Sequence, residues 1–339
     1  MVQSKGLIFT EIPTFTPVAG VHLRVESQDF DINQEAPDGG VIAKGLYFSL
    51  DPYMRGRMRA AGTKSYSPPY MLGQPVTAYS LVQVLKSAHE QYVKGDILFG
   101  QFNLEEYTVI SKDIISREIV RKLRINPSIP LSNYLGILGS TGLTAYSSLY
   151  EIGEPKTGET IFVSSAAGAV GQIVGQIAKK EGLTVIGSVG DDAKLDLIKN
   201  LGYDGGFNYK KENTADALKR LAPQGIDIYY DNVGGTQLET AITLMNDFGR
   251  INEWYGVKTV VLVVMKRLKM QGFITTDANF GPKYLNERDE VLSKWLADGS
   301  IQSREDITEG IDNAATAFLA MLEGDKLGKA ILKVADPDI

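Results

Sequence analysis

Short apolar and polar runs, broken by turn residues, fill the first 130 positions. "GLIFTEIP", "HLRVESQDF", "GVIAKGLYFSL", "PVTAYSLVQVL", "GDILFG" and "EEYTVIS" are rich in β-branched and aromatic residues, and Gly, Pro and Asp punctuate them. They predict an all-β module. From about residue 131 the pattern changes. "PLSNYLGILGSTGLTAYSSLYEIG" predicts helices broken by Gly136, Gly139 and Gly142. "LDLIKNLGY", "TADALKRLAP" and "QLETAITLMNDFG" predict further helices, and "IDIYYDNVGG" predicts a strand ending in a glycine turn. Such alternation implies parallel strands with crossover helices. The tail differs again. "YLNERDEVLSKWLADGSI" and "EGIDNAATAFLAMLEGD" are amphipathic helices, and "GKAILKVA" is a closing strand. If that strand returns to the β module, the first domain is discontinuous. The expected division is 1–130 with 300–339, and 131–299 between them. No internal repeat or low-complexity segment is present.

Composition narrows the class. A chain of 339 residues suits two domains. A content of 43% hydrophobic and 22% charged residues is ordinary for a soluble globular protein. The net charge of −6 argues against a nucleic-acid surface, which needs a basic face. No apolar run reaches membrane-spanning length. The start, "MVQSKGLIFTEIP", lacks the basic-then-apolar order of a signal peptide, so a cytoplasmic protein is expected. There is no cysteine, and the only histidines are His22 and His89. A zinc site needs more Cys or His ligands than these, so no metal is expected.

The segment Ser164 to Lys194, "SSAAGAVGQIVGQIAKKEGLTVIGSVGDDAK", reads as strand, glycine turn, helix and second strand. "TIFVSS" before the turn is apolar and uncharged, as a strand buried on both faces would be. Ala166, Gly168 and Gly171 have the spacing of G-x-G-x-x-G, with alanine at the first position. Gly168 allows backbone to approach a pyrophosphate, and Gly171 allows the helix to pack on the strand. Val170, Ile173, Val174, Ile177 and Ala178 form one apolar helical face. Lys179, Lys180 and Gly182 mark its end. A pyrophosphate would lie on the free N–H groups of the helix start.

The second strand ends in Gly187, Ser188, Val189 and Gly190, with no carboxylate for a ribose 2′-hydroxyl. A 2′-phosphate would meet no repulsion at that tip, and Lys194 can supply positive charge. Asp191 and Asp192 suit the N-cap and first turn of the next helix. The charge pattern therefore favours NADP over NAD.

Other motifs fail. "GDKLGKA" is one residue short of a P-loop and lacks its Ser or Thr. No G-x-S-x-G elbow occurs. "DPYMRGRMRA", with Arg55, Arg57 and Arg59, reads as a solvated basic loop. Glu105 and Glu106 flank a strand, where only one can face a cleft.

Several blocks carry a family resemblance: "SLDPYMRGRM", "LGILGSTGLTAY", "SSAAGAVGQIVGQIAK", "FNYK", "DNVGG", "KRLKMQGF" and "GDKLGKAILK". With these blocks in order, almost the whole chain resembles the zinc-independent medium-chain dehydrogenase/reductases. The nearest group is that of the prostaglandin reductases, leukotriene B4 dehydrogenases and alkenal double-bond reductases. The resemblance implies an α/β fold: a Rossmann doubly wound parallel sheet plus a GroES-like β-rich domain. It implies pyrophosphate binding by Gly168, Ala169, Val170 and Gly171. Gly190 belongs to the same cofactor site, and Lys194 and Tyr209 would face the 2′-phosphate of NADP(H). Asn232 would sit near the cofactor, and Phe273, Ile274 and Thr275 near the nicotinamide. Tyr53 is the candidate substrate-facing hydroxyl, with Arg55 holding its loop. A homodimer is implied.

Three departures stand out. After Phe248–Ile251 the family runs through another strand and loop, whereas here Asn252, Glu253 and Trp254 lead into "YGVK". Met265 stands where some members carry a tyrosine, and Lys326 where some carry a cofactor-contacting asparagine. The resemblance implies NADPH-dependent reduction of the C=C bond of α,β-unsaturated aldehydes or ketones without a metal. Hydroxyl donors would stabilise the enolate. A quinone oxidoreductase is the alternative enzyme. A catalytically impaired NADPH-binding protein is the alternative that the shortened segment suggests.

Overall fold

The computed structural model describes residues 1–117, 120–252 and 261–338. The chain divides into two units, one of residues Met1–Leu135 with Glu305–Ile339 and one of Gly136–Arg304.

In chain order the first unit contributes β1 (Val2–Phe9), β2 (Leu23–Phe30), β3 (Val41–Ser49), α1 (Tyr53–Arg57), β4 (Gln74–Pro75), β5 (Thr77–Ser87), β6 (Ile97–Asn103), β7 (Tyr107–Ile110), α2 (Lys112–Arg117) and β8 (Arg121–Lys122). The second contributes α3 (Ser140–Ser148), β9 (Thr160–Val163), α4 (Gly171–Lys180), β10 (Thr184–Val189), α5 (Ala193–Asn200), β11 (Gly205–Asn208), α6 (Thr214–Leu221), β12 (Ile226–Tyr230), α7 (Gly235–Leu244), β13 (Met245–Asn252), α8 (Val261–Met265), β14 (Lys269–Gln271) and α9 (Gly281–Ala297). The chain then returns to the first unit with β15 (Glu305–Glu309), α10 (Ala314–Glu323) and β16 (Lys329–Lys333).

The first unit is β-rich. One sheet has the order β2-β1-β4, and another β15-β16-β3-β5-β6-β8 with β7 also on β3. The six strand-like runs of the N-terminal half fall on β1, β2, β3, β5, β6 and β7. The closing strand β16 pairs antiparallel with β3, Leu332 opposite Phe48. Leu7, Phe9, Phe48, Met54, Phe318 and Leu332 bury one core.

The second unit is a six-stranded sheet of order β11-β10-β9-β12-β13-β14, every pair parallel. Counted from β9, this is the doubly wound order 3-2-1-4-5-6. Phe162 and Tyr229 stack at 4.9 Å within its core, with Ile186, Phe207, Leu238 and Ile251 around them.

Two local expectations fail. Gly142 does not break a helix but lies inside α3. A Cβ there would stand 1.7 Å from the Ile137 carbonyl oxygen, so glycine is needed for close approach. "MNDFG" is not helical. Met245 turns extended at ψ 146°, and the chain enters the gap between β12 and β14 as β13. Met245 pairs with Ile226 of β12, and Arg250–Asn252 just beyond pair with both β12 and β14; this ladder outweighs the helical spacing of the apolar residues.

Candidate functional site

In this strand order the winding reverses between β9 and β12, and ligands bind outside the C-terminal ends of those strands. The glycine turn from Ser164 to Val170 fills that position. Ser165 takes φ 49°, a left-handed conformation that strains a non-glycine residue by about 1 kcal/mol or more. The bend precedes Ala166, which therefore needs no positive φ and can be alanine. Its methyl fits because β10 offers Gly187 there; a Cβ at that glycine would lie 2.5 Å away. The Gly168 amide donates to Ser165 O and the Ala166 amide to Ser188 O, each at 2.9 Å. A Cβ on Gly171 would lie 2.5 Å from Ser165 O and 2.8 Å from Ala166 Cα, so α4 starts hard against the turn. Among the described residues the amides of Ala169, Val170 and Gly171 have no backbone acceptor. Those N–H groups, at the positive end of a ten-residue helix, fit a pyrophosphate.

Helix α4 is buried more widely than one apolar face. Gln172 and Gln176 are buried with Ile173, Val174, Ile177 and Ala178. The Gln172 amide donates to Arg304 O and accepts from Arg304 N, both at 3.0 Å. Gln176 does the same with Gln302, both at 2.8 Å. Helical spacing i, i+4 thus meets alternate residues of an irregular segment, a pairing that apolar periodicity does not reveal.

At the end of β12 one carboxylate oxygen gathers four donors. Asp231 Oδ1 accepts from the Ser164 hydroxyl at 2.8 Å, the Tyr229 hydroxyl at 2.7 Å, and the amides of Val233 and Gly234 at 3.0 and 2.9 Å. Ser164 Oγ accepts from the Asn232 amide, and Ser164 O from Asn232 Nδ2, both at 2.8 Å. Asn232 is thereby pinned beside the glycine turn. Sequence reasoning named Asn232 but missed Asp231 and Ser164. The available signal was an acid at a strand tip before a glycine turn, where loop amides need an acceptor.

Gly190 and Tyr209 follow the paired ends of β10 and β11, where Val189 opposes Asn208. A Cβ on Gly190 would come 3.1 Å from the Tyr209 hydroxyl, so the glycine leaves room for that ring. Lys194 is half-buried in the first turn of α5. Asp192 precedes that helix, but its carboxylate makes no capping bond. It accepts instead from Asn208 Nδ2 at 2.6 Å and Lys211 Nζ at 2.5 Å. These partners hold Asp192 below the usual carboxylate pKa. Asp191 accepts from the Ala193 amide at 2.8 Å.

Phe273, Ile274 and Thr275 follow β14, with β13 standing between it and β12. Thr275 Oγ1 lies 2.8 Å from Thr144 Oγ1, Thr275 O accepts from the Gly281 amide at 2.8 Å, and Phe273 stacks on Phe280 at 4.8 Å. Met265 is exposed at the end of α8. The omission expected after Ile251 falls on residues 253–260, outside the described residues.

In the first unit, α1 carries Tyr53. The arginines beside it do not form a solvated basic loop. Arg57 is buried, donates to Pro68 O at 3.0 Å and Thr77 Oγ1 at 2.8 Å, and lies 4.2 Å over the Tyr70 ring. Arg55 donates to Phe15 O at 2.6 Å, and Arg59 to Thr63 O at 3.1 Å and Gly56 O at 2.6 Å. The acceptors that recruit them are the carbonyls of Phe15, Gly56, Thr63 and Pro68 and the Thr77 hydroxyl. Below α1, buried Lys329 donates to Leu50 O at 3.0 Å and Asp51 Oδ1 at 3.1 Å. Lys326 is engaged with Asp306 Oδ1 at 2.9 Å. The Tyr53 ring meets Tyr79 edge-on at 6.1 Å. Its hydroxyl is buried and has no hydrogen-bond partner among the described residues. Burial, and then the Asp51 charge, push the Tyr53 phenol well above its ordinary pKa, so it stays a neutral donor. His22 and His89 use Nδ1 to accept from the amides of Val18 and Gln91.

Two family models match the chain. One, "N-terminal domain of oxidoreductase", covers residues 22–117, and the other, "Zinc-binding dehydrogenase", covers residues 169–287. The chain is 47% identical to the NADP-dependent oxidoreductase RED1 of Cochliobolus heterostrophus, over 99% of each chain. That alignment runs to 350 positions against 339 residues here, so the relative has residues without a counterpart in this chain. It is 39% identical to the 2-alkenal reductase (NADP(+)-dependent) of Nicotiana tabacum, over 92% of each. Among solved structures, CurA of Vibrio vulnificus in complex with NADPH superposes with a TM-score of 0.87. It is 32% identical and covers 98% of this chain and 100% of its own.

Proposed function

From the premise that the chain belongs to the zinc-independent medium-chain dehydrogenase/reductase family, we propose that this NADP-dependent oxidoreductase reduces the C=C bond of α,β-unsaturated aldehydes and ketones. The observation that carries the reading is the Tyr53 hydroxyl, buried, neutral and without a hydrogen-bond partner among the described residues. A buried donor left unpaired costs about 1–3 kcal/mol, and a substrate carbonyl would recover it. The kinship with a 2-alkenal reductase supports the same acceptor class.

Bound NADPH supplies the hydride for the β-carbon of the acceptor. Gly168, whose own amide is used within the turn, would let the backbone approach its pyrophosphate, which the amides of Ala169, Val170 and Gly171 would hold. Lys194 and Tyr209 would hold its 2′-phosphate, and Asn232 would lie beside it, pinned through Ser164 to Asp231. Phe273, Ile274 and Thr275 belong to the nicotinamide end. Tyr53 donates to the carbonyl oxygen, on which negative charge grows as the β-carbon gains its hydrogen. Because its pKa is high, the phenol keeps its proton, and water protonates the α-carbon. No step of this reading requires a metal.

The test is oxidation of NADPH by the purified protein with a panel of enals, enones and quinones. Enal and enone turnover to the saturated carbonyl is the expected result. Turnover of quinones alone would move the assignment to a quinone oxidoreductase, and saturable NADPH binding without oxidation would make it a binding protein. The homodimer is part of the same reading. The outer edge of β14, unpaired among the described residues, supports it, and solution molar mass tests it.

A further inference from the structure

The corner assigned to the 2′-phosphate contains two charges that ought to repel it, Asp191, which accepts from the Ala193 amide, and Asp192. Asp192 lies two residues from Gly190 and two from Lys194. A phosphomonoester carries about −1.5 to −2 charge at neutral pH, so a bare carboxylate in this position would favour the unphosphorylated nucleotide. The chain answers it from the next strand loop. Asn208, the last residue of β11, donates to Asp192 Oδ1 at 2.6 Å, and Lys211 donates to Oδ2 at 2.5 Å. The neighbouring carboxylate, Glu212, is likewise matched, by Arg220 at 2.7 Å. Tyr209, between Asn208 and Lys211, is the residue whose hydroxyl lies over Gly190.

We propose that Lys211 is a specificity-determining residue for the phosphorylated nucleotide, because its salt bridge cancels the Asp192 charge beside the 2′-phosphate. This rests on the reading that Gly190, Lys194 and Tyr209 form that phosphate's pocket. Both members of the pair are solvent-exposed, with side chains 70% and 53% accessible. The bridge therefore matters little for stability. Its effect is on the field at the pocket, which falls within a screening length of about 8–10 Å at physiological salt.

The experiment measures dissociation constants of NADP+, NAD+ and 2′,5′-ADP by calorimetry, at low and high ionic strength. The proteins are the parent, Lys211→Gln, Asp192→Asn, the double variant and Lys194→Ala. Lys211→Gln is expected to weaken NADP+ and 2′,5′-ADP about fivefold at low salt, less at high salt, and to leave NAD+ unchanged. Asp192→Asn should tighten NADP+, and the double variant should recover most of the loss. Equal losses for NADP+ and NAD+ in Lys211→Gln, or no recovery in the double variant, would overturn the role of Lys211. If Lys194→Ala lowers the preference for NADP+ while Lys211→Gln does not, the pocket stands and only this inference falls. If Lys194→Ala leaves the preference intact, the pocket assignment falls and takes the inference with it.

Discussion

The hydroxyl of Tyr203 donates to the carbonyl oxygen of Gly171 at 2.7 Å, joining the loop before β11 to the first residue of α4. The ring lies where side chains on Gly175 and Gly187 would otherwise be; a Cβ on Gly175 would come 2.1 Å from it. Burial pushes the phenol far above its ordinary pKa, so it remains a donor at all working pH. Tyr203→Phe leaves that carbonyl without its side-chain partner, and the expected loss of stability is about 1–2 kcal/mol. Thermal unfolding checks it. The NADPH affinity should fall as well, because the amide beside that carbonyl faces the proposed pyrophosphate.

Gly171→Ala puts a methyl 2.5 Å from Ser165 O. Backbone must move, and the turn opens. NADPH binding should drop by at least tenfold, read by quenching of the reduced cofactor's fluorescence. Since the substitution falls on the first residue of α4 and leaves the rest of the helix unchanged, the loss should be in binding more than in helix content by circular dichroism.

Tyr53→Phe separates chemistry from folding. The hydroxyl has no partner among the described residues, so its removal should leave the melting temperature unchanged or slightly higher. Turnover of enals should nevertheless fall about a hundredfold, the scale seen when one oxyanion donor is deleted. Unchanged turnover would show that Tyr53 does not face substrate.

Asp231→Asn weakens an acceptor shared by Ser164, Tyr229, Val233 and Gly234. Hydrogen bonds to a charged group contribute about 1.5–3 kcal/mol, and a loss of about 2 kcal/mol in stability is expected by chemical denaturation. Asn232 should lose its fixed position, and the KM for NADPH should rise more than kcat falls.

Glu105 gives a pH dependence. Burial raises its pKa, while bonds from Thr108 and Asn103 only partly offset this. The folded state therefore holds its proton more tightly than the unfolded chain. Stability falls as pH rises from the unfolded pKa through the higher folded pKa, then stays lower. Glu105→Gln should raise the melting temperature at neutral pH, and the gain should vanish under acid conditions where the carboxyl is already protonated.

Much of the architecture was readable from the chain alone. Alternating β-branched residues marked β1, β2, β3, β5, β6 and β7, and the A-x-G-x-x-G turn between an apolar strand and an apolar helix face located β9 and α4. These signals are local: side-chain period and glycine spacing depend on neighbours in sequence. The absence of cysteine and the uncharged tip of β10 likewise followed from residue identities. Partners far apart in the chain were decided only by tertiary structure. Met245 to Gly249 became extended because Met245 pairs with β12 and the following Arg250–Asn252 pair with both β12 and β14. Gln172 and Gln176 found the backbone of 302 and 304, Arg57 found Thr77, and Lys211 found Asp192. A hydrogen bond or ion pair across tens of residues leaves no periodic trace, since it depends on which loops the fold brings within about 3 Å.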